Sequence, residues 1–392
     1  MEFKLSKKEE LWQWAVREFA EGELAKQELI TLDYVPADFL KKMGGLGFFS
    51  VKVPKEYGGD LGTWVMMGIL AEEMAKMNIP IAYMTMVSYE VILSLTSFGT
   101  NETKEEWLQD LVKGAKRGCI SANESDSGVD IGVIKTKAIR EQDSYFISGE
   151  KSPVSFGMQA DVAFLFAKTN SEKKTEGLTA FFVPLNLSGI TKSEIKNMGL
   201  FPVAPCSFTM DHVCIPAKYR IGDEGQGFYL HTTMGFSSDF HQIISGLISL
   251  GAAQAAMRLA ISYSKQRVAF GRPIVQFEAI SEKIAKGATL IEAARWLCYR
   301  ALALKDQGLS NGKEAAMCGW WCPKVAFQVI EDALLIHGHT GYSDDLPLQQ
   351  MLRDIVAFEM ISGTEGILMQ RIAQKVIGNI AVPDVMTDSI NY

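Results

Sequence analysis

This chain of 392 residues has six cysteines (Cys119, Cys206, Cys214, Cys298, Cys318 and Cys322) and no disulfide-framework spacing among them. A chain this long needs no staples, so they read as buried free thiols. No Lys/Arg block forms a phosphate-tracking stripe, and 39 basic against 46 acidic residues leave a net charge of −7, which argues against a nucleic-acid partner. The opening stretch MEFKLSKKEELWQWAVREFAEGEL lacks the apolar core and small-residue cleavage site of a secretory signal, so the expected location is the cytoplasm. The most membrane-like uncharged run, Phe240–Met257, contains His241, Gln242 and Gln254 and is barely long enough to span a bilayer. A buried bundle helix suits it better, and no membrane insertion is expected. There is no Gly-x-Ser-x-Gly elbow and no Walker-type loop, which sets aside nucleophilic hydrolysis and phosphoryl transfer. His337-x-His339, read as a loop, and Cys318-x-x-x-Cys322, read as helical, have no further ligands at zinc-like spacing, so no metal site is expected. Internal repeats and low-complexity tracts are absent.

What is present describes a folding chain of two or three packed units: 47% hydrophobic residues, 22% charged and a mean hydropathy of +0.06. Three textures follow one another. Residues 1–117 read helical, with Leu11, Trp12, Ala15, Val16 and Phe19 at helical spacing, a glycine-punctuated break at Gly44–Gly62, and helices predicted at Thr63–Met77, Ile79–Phe98 and Lys104–Lys113. Residues 118–228 carry short runs at Val133–Ile139, Ser144–Ser148, Val162–Ala167, Leu178–Val183 and Cys206–Val213, the pattern of a β unit. Residues 229–392 are long and helical, broken at Gly308–Gly312 and Gly338–Pro347; Ser245, Gly246, Ser249, Gly251, Ala252 and Ala253 predict a helix that lies close to its neighbours. The fold class is α+β.

Six strings in order are PKEYGG (Pro54–Gly59), NESDSGVD (Asn123–Asp130), GEK (Gly149–Lys151), GQGF (Gly225–Phe228), KQRVAFGRPI (Lys265–Ile274), and LRD (Leu352–Asp354) ahead of ISGT (Ile361–Thr364). With the α–β–α order they make the whole chain resemble the acyl-CoA dehydrogenase family. The resemblance implies an N-terminal helical domain, a central β-barrel and a C-terminal four-helix bundle in a homotetramer. It also implies FAD between barrel and bundle, an acyl-CoA thioester as substrate and an electron-transferring flavoprotein as acceptor. By position, Ile120, Ala122, Asn123, Gly128, Val129 and Ser155 fall at the isoalloxazine and ribityl portions of FAD, and Thr364 and Gly366 also fall at the cofactor. Arg267 and Phe270, with Leu335 and Gly338, fall where the family reaches a neighbouring subunit's FAD; arginine suits pyrophosphate through its fork, although alone Arg267 would read as a helix-end surface cation.

Departures cluster around the chemistry. Where the family often stacks a tryptophan, this chain has Pro153-Val154-Ser155-Phe156-Gly157, with Phe156 the candidate replacement ring, and Val129 stands where a serine is usual. The carboxylate that usually precedes Gly363-Thr364 is Ser362, which keeps only a backbone N–H as a donor to the thioester carbonyl. A second branch's glutamate position holds His241. Unactivated serine is too weak a base near neutrality. His241 reads either as a base, its imidazole ordinarily near 6.5, or as a structural bundle histidine. Glu90 is the only charged residue between Met77 and Asn101, with Met86 and Val87 one turn away. It reads either as a buried base facing the acyl group or as the wet side of its helix. Asp239 matches the family's pantetheine-binding aspartate, and Gln242 replaces an arginine beyond it. With the base moved away from the thioester, the resemblance narrows to the alicyclic branch associated with anaerobic degradation of aromatic and alicyclic acids, and to 1,4-elimination from a cyclohex-1-ene-1-carboxyl-CoA-like substrate. The alternatives are a non-oxidising acyl-CoA protein of C–S-cleaving type and a non-catalytic binding or assembly subunit.

Overall fold

The computed structural model describes residues 4–24, 34–235 and 238–378; the outermost parts of the first and third regions, 1–3 and 379–392, lie outside the described residues. Four of the first five helices start at a side-chain cap. Ser6 and Glu9 form a capping box ahead of α1 (Lys7–Phe19). After α2 (Ala37–Gly45), Thr63 caps α3 (Trp64–Ala75), Asn78 caps α4 (Ile79–Phe98) with Pro80 in its first turn, and Thr100 caps α5 (Asn101–Val112). Between α2 and α3 the chain is irregular apart from one short turn at Lys55–Tyr57. Gly59 is obligatory there, because a Cβ would stand 1.7 Å from the Val53 carbonyl oxygen.

The middle region holds β1 (Gly118–Ser121), β2 (Lys137–Glu141), β3 (Ser144–Val154), β4 (Val162–Lys168), β5 (Leu178–Pro184), β6 (Ile190–Glu194), β7 (Cys206–Pro216) and β8 (Arg220–Ile221). They form one sheet in the order β6-β7-β3-β2-β4-β5-β8, with β1 parallel to β4. One set of alternating residues, including Cys119, Ile147, Leu165, Phe181 and Phe208, closes on a separate core; the other, including Ile120, Phe164, Phe166 and Phe182, joins the helices' core. In β1, β4 and β5, buried throughout, successive side chains thus serve the two cores alternately, as strand geometry requires. The run expected from Val133 is corrected: Ile131–Val133 is a single turn, held where Asp130 accepts the Gly132 N–H, and the strand begins at Lys137.

The last region contains α6 (Gly227–Met234), α7 (Asp239–Gln266), a hairpin of β9 (Val268–Ala269) and β10 (Arg272–Pro273), then α8 (Glu278–Asp306), α9 (Gly312–His337), the short α10 (His339–Tyr342), α11 (Leu348–Ile361) and α12 (Glu365–Ile377). Helices α4 and α7 are long and apolar enough to cross a membrane by composition, but both are mostly packed inside the protein. A Cβ at Gly251 would stand 2.5 Å from the Glu72 carbonyl oxygen, so the small-residue stripe lets α7 lie against α3. Buried Glu72 fastens the helices: its carboxylate accepts from Gln254 at 2.6 Å, Arg295 at 2.5 Å and Tyr299 at 2.5 Å.

Asp354 ties α11 to the middle region by accepting the Leu200 N–H and a Gln350 amide hydrogen. Burial pushes its carboxyl up to about 7, against the opposing pull of those two hydrogen bonds and Arg353. The unfolded chain ionises this group at its ordinary value of 3.8, so between the two values the native state holds a proton that the unfolded state releases. Stability contributed by this group is therefore present at low pH and lost as pH rises to about 7. Thermal melts should show Asp354→Asn losing less stability than the parent between pH 4.5 and 7.5, by a few kcal/mol at most; parallel curves would contradict it.

Candidate functional site

Glu90 is 1% exposed, which overturns the wet-face reading. Its Oε1 lies 2.7 Å from Nδ1 of His241, itself fully buried in the first turn of α7, where its backbone N–H is fixed by Ser238 Oγ. The two residues weighed as rival bases are one hydrogen-bonded pair. Burial raises the Glu90 carboxyl above its ordinary range, and the neighbouring imidazole opposes part of that rise. Met86 and Val87 are buried on the preceding turn of α4, and Ser245 Oγ reaches Met86 Sδ at 3.7 Å, joining α4 to α7.

Among the described residues, the buried polar atoms without a hydrogen-bond partner include Glu90 Oε2, Gln242 Oε1 and Ser362 Oγ. Burying such groups unpaired is costly, so each points to a polar ligand atom. At Ser362 the expected donor is corrected: its N–H and that of Gly363 both turn to the Met360 carbonyl, because α11 ends there with Gly363 at φ 109°, leaving the hydroxyl as the free donor. Asp239, about a third exposed, is held by Arg371 at 3.3 Å. It therefore sits at the rim, half a turn from buried His241 on the same helix.

A second group forms on the middle region. Ile120 and Ala122 are buried, Asn123, Val129 and Ser155 half-buried, and Gly128 exposed. Lys151, fully buried, donates to the Ala122 carbonyl and to Glu124, each at 2.9 Å, and the Ser152 N–H donates to the Asn123 carbonyl. These bonds lace the Ala122–Asn123 backbone to the strand leading into Ser155. Sequence reading missed Tyr83. Its hydroxyl lies 3.1 Å from Ser155 Oγ, and its ring packs 5.6 Å from both Phe156 and Phe358. Tyr83, Val87 and Glu90 follow i, i+4, i+7 spacing on a helix readable from sequence, a signal that would have found it.

Arg267, Leu335, Gly338, Thr364 and Gly366 are exposed, as is Phe270, 97% exposed at the β9–β10 hairpin. A Cβ added at Gly128, Gly338 or Gly366 would meet nothing within 4 Å. Open backbone at these glycines leaves room for the close approach of a large cofactor. Residues around Ser155 would hold its ring, and the exposed set faces away from this chain's own core.

His337 is not in a loop: α9 runs through it, its ring stacks on Tyr263 at 4.4 Å, and its Nδ1 contacts the Ala333 carbonyl oxygen. The cysteine pair gains a third member that sequence spacing could not supply, since Cys298 on α8 brings its sulfur within 4.8 Å of those of Cys318 and Cys322 on α9.

Comparison with known proteins gives matches along the chain. Models of the acyl-CoA dehydrogenase N-terminal, middle and C-terminal domains match residues 6–115, 119–213 and 227–377. An acyl-CoA dehydrogenase of Bacillus subtilis is 34% identical over 369 residues, 93% of this chain and 96% of the relative. The CarC subunit of the caffeyl-CoA reductase-Etf complex of Acetobacterium woodii is 32% identical over 354 residues, covering 89% and 92%. The structure of butyryl-CoA dehydrogenase from Megasphaera elsdenii superposes with a TM-score of 0.92 at 29% identity, over 96% of this chain and 100% of the other.

Proposed function

The chain belongs to the acyl-CoA dehydrogenase family as an FAD-dependent oxidoreductase acting on CH–CH bonds, and from that premise we propose that it oxidises an alicyclic CoA thioester, of the cyclohex-1-ene-1-carboxyl-CoA kind, by 1,4-elimination. The observation that carries this reading is the buried Glu90–His241 pair, a carboxylate whose second oxygen has no partner, in a chain with serine at the usual base position.

In this reading His241 Nδ1 holds Oε1, and Glu90 Oε2 takes the proton from ring carbon C3, the γ-carbon of the unsaturated thioester. The elevated carboxyl pKa suits a base working near neutrality. The Ser362 hydroxyl donates to the thioester oxygen, where the dienolate charge collects. Bound FAD supplies the two-electron acceptor for the hydride from C6. Asp239 at the rim receives the pantetheine arm, with Gln242 below it. Along α4 the seven-residue step from Tyr83, at the cofactor side, to Glu90 is about 10 Å.

A reductase-complex relative supports an electron-transferring flavoprotein as redox partner. A homotetramer belongs to the same reading, with the 97% exposed Phe270 at the β9–β10 hairpin as a residue that a neighbouring subunit would cover.

Anaerobic absorbance titration with cyclohex-1-ene-1-carboxyl-CoA, its saturated analogue and a linear short-chain acyl-CoA tests the substrate class. Rapid bleaching of the flavin by the unsaturated ring thioester, with little by the linear one, is expected. Preferential bleaching by the linear thioester would overturn the alicyclic reading.

A further inference from the structure

Tyr83 is 1% exposed, and burial raises its phenol well above the ordinary value, so it remains a protonated donor at all working pH values. A buried phenol needs a partner, and Ser155 Oγ, 3.1 Å away, supplies it. If the phenol gives its proton to Ser155 Oγ, the serine hydroxyl hydrogen is turned outward, toward whatever acceptor lies against residue 155. The tyrosine itself has little freedom, since Phe156 of the middle region and Phe358 of α11 flank its ring. Three elements from three regions of the chain therefore meet at one side chain. The same face of α4 carries Glu90 seven residues on.

We infer that Tyr83 is a positioning residue: through Ser155 it orients the hydroxyl that holds the flavin ring, and by clamping α4 it fixes the spacing between that ring and Glu90. The inference rests on Ser155 contacting FAD and is independent of which acyl group is oxidised. Nothing in the family strings reports it, because Tyr83 lies outside all of them.

The test uses the holoprotein and no thioester. FAD dissociation is followed by flavin fluorescence, with visible spectra, for Tyr83→Phe, Ser155→Ala and the double variant. Tyr83→Phe keeps the ring between its two aromatic neighbours, so it keeps the packing and removes only the hydroxyl. Losing one neutral hydrogen bond predicts up to about tenfold weaker FAD retention for Tyr83→Phe, and a shifted flavin absorption band. The double variant should be no worse than the weaker single variant, because both substitutions break one chain of bonds. Unchanged retention and spectrum in Tyr83→Phe, or strictly additive losses, would overturn the positioning role. Unchanged retention in Ser155→Ala would instead overturn Ser155 as a cofactor contact, and the inference with it. The substrate reading survives either result, since no thioester enters the measurement.

Discussion

Glu90→Gln should retain FAD and thioester binding yet reduce its flavin about 10²–10⁴-fold more slowly, the span expected when a positioned base is lost. The amide is nearly isosteric and can still bond His241, so the pocket keeps its shape while Oε2 loses its basicity. His241→Ala acts differently. Its imidazole is what opposes the burial-driven rise of the Glu90 carboxyl, so removal should raise that carboxyl further. A larger share of the enzyme would then hold Glu90 protonated near neutrality, and the rate would recover only at higher pH. The single-turnover rate against pH should rise through the carboxyl's titration in the parent and be displaced to the alkaline side in His241→Ala. Equal loss at every pH would mean that the histidine itself takes the proton.

The second large effect concerns Lys151. Its ammonium is buried, bonded to Glu124 and to the Ala122 carbonyl, and burial pulls its pKa down to about 8 despite the carboxylate partner. Replacing one member of a buried pair leaves the other charge uncompensated, at about 3–5 kcal/mol. Glu124 also accepts the backbone N–H groups of Lys135 and Thr136, which offsets part of that cost. Lys151→Met should therefore lose about 3 kcal/mol in denaturant unfolding of the holoprotein. It should also release FAD more readily, because the Ala122–Asn123 backbone loses its anchor. An unaltered unfolding midpoint would show that the pair contributes nothing net.

How far the sequence foretold this arrangement depends on range. Local signals were readable: the apolar run Ile79–Phe98 matches α4 at its observed bounds, and the small residues of α7 announced a close approach to a neighbour, which the structure identifies as α3. Strand β1 was not readable, since four continuously buried residues show no alternation, and neither was the largely polar β6. At the site, Glu90 and His241 were each visible as odd residues in apolar helices. Their contact bridges 151 positions, and no periodicity reports across such a gap. Cys298 joined Cys318 and Cys322 unannounced for the same reason. The free donor at Ser362 depends on how one helix terminates, which composition does not encode.

The central claim is that the Glu90–His241 pair takes a proton from a carbon remote from the thioester. Cyclohex-1-ene-1-carboxyl-CoA deuterated at C3 tests it most directly, through product analysis after one anaerobic turnover of the parent and of Glu90→Gln. The account predicts loss of one C3 deuterium to solvent in the parent and its retention by Glu90→Gln over the same interval. Parent product that keeps all its C3 label, or equal loss from both proteins, would contradict it.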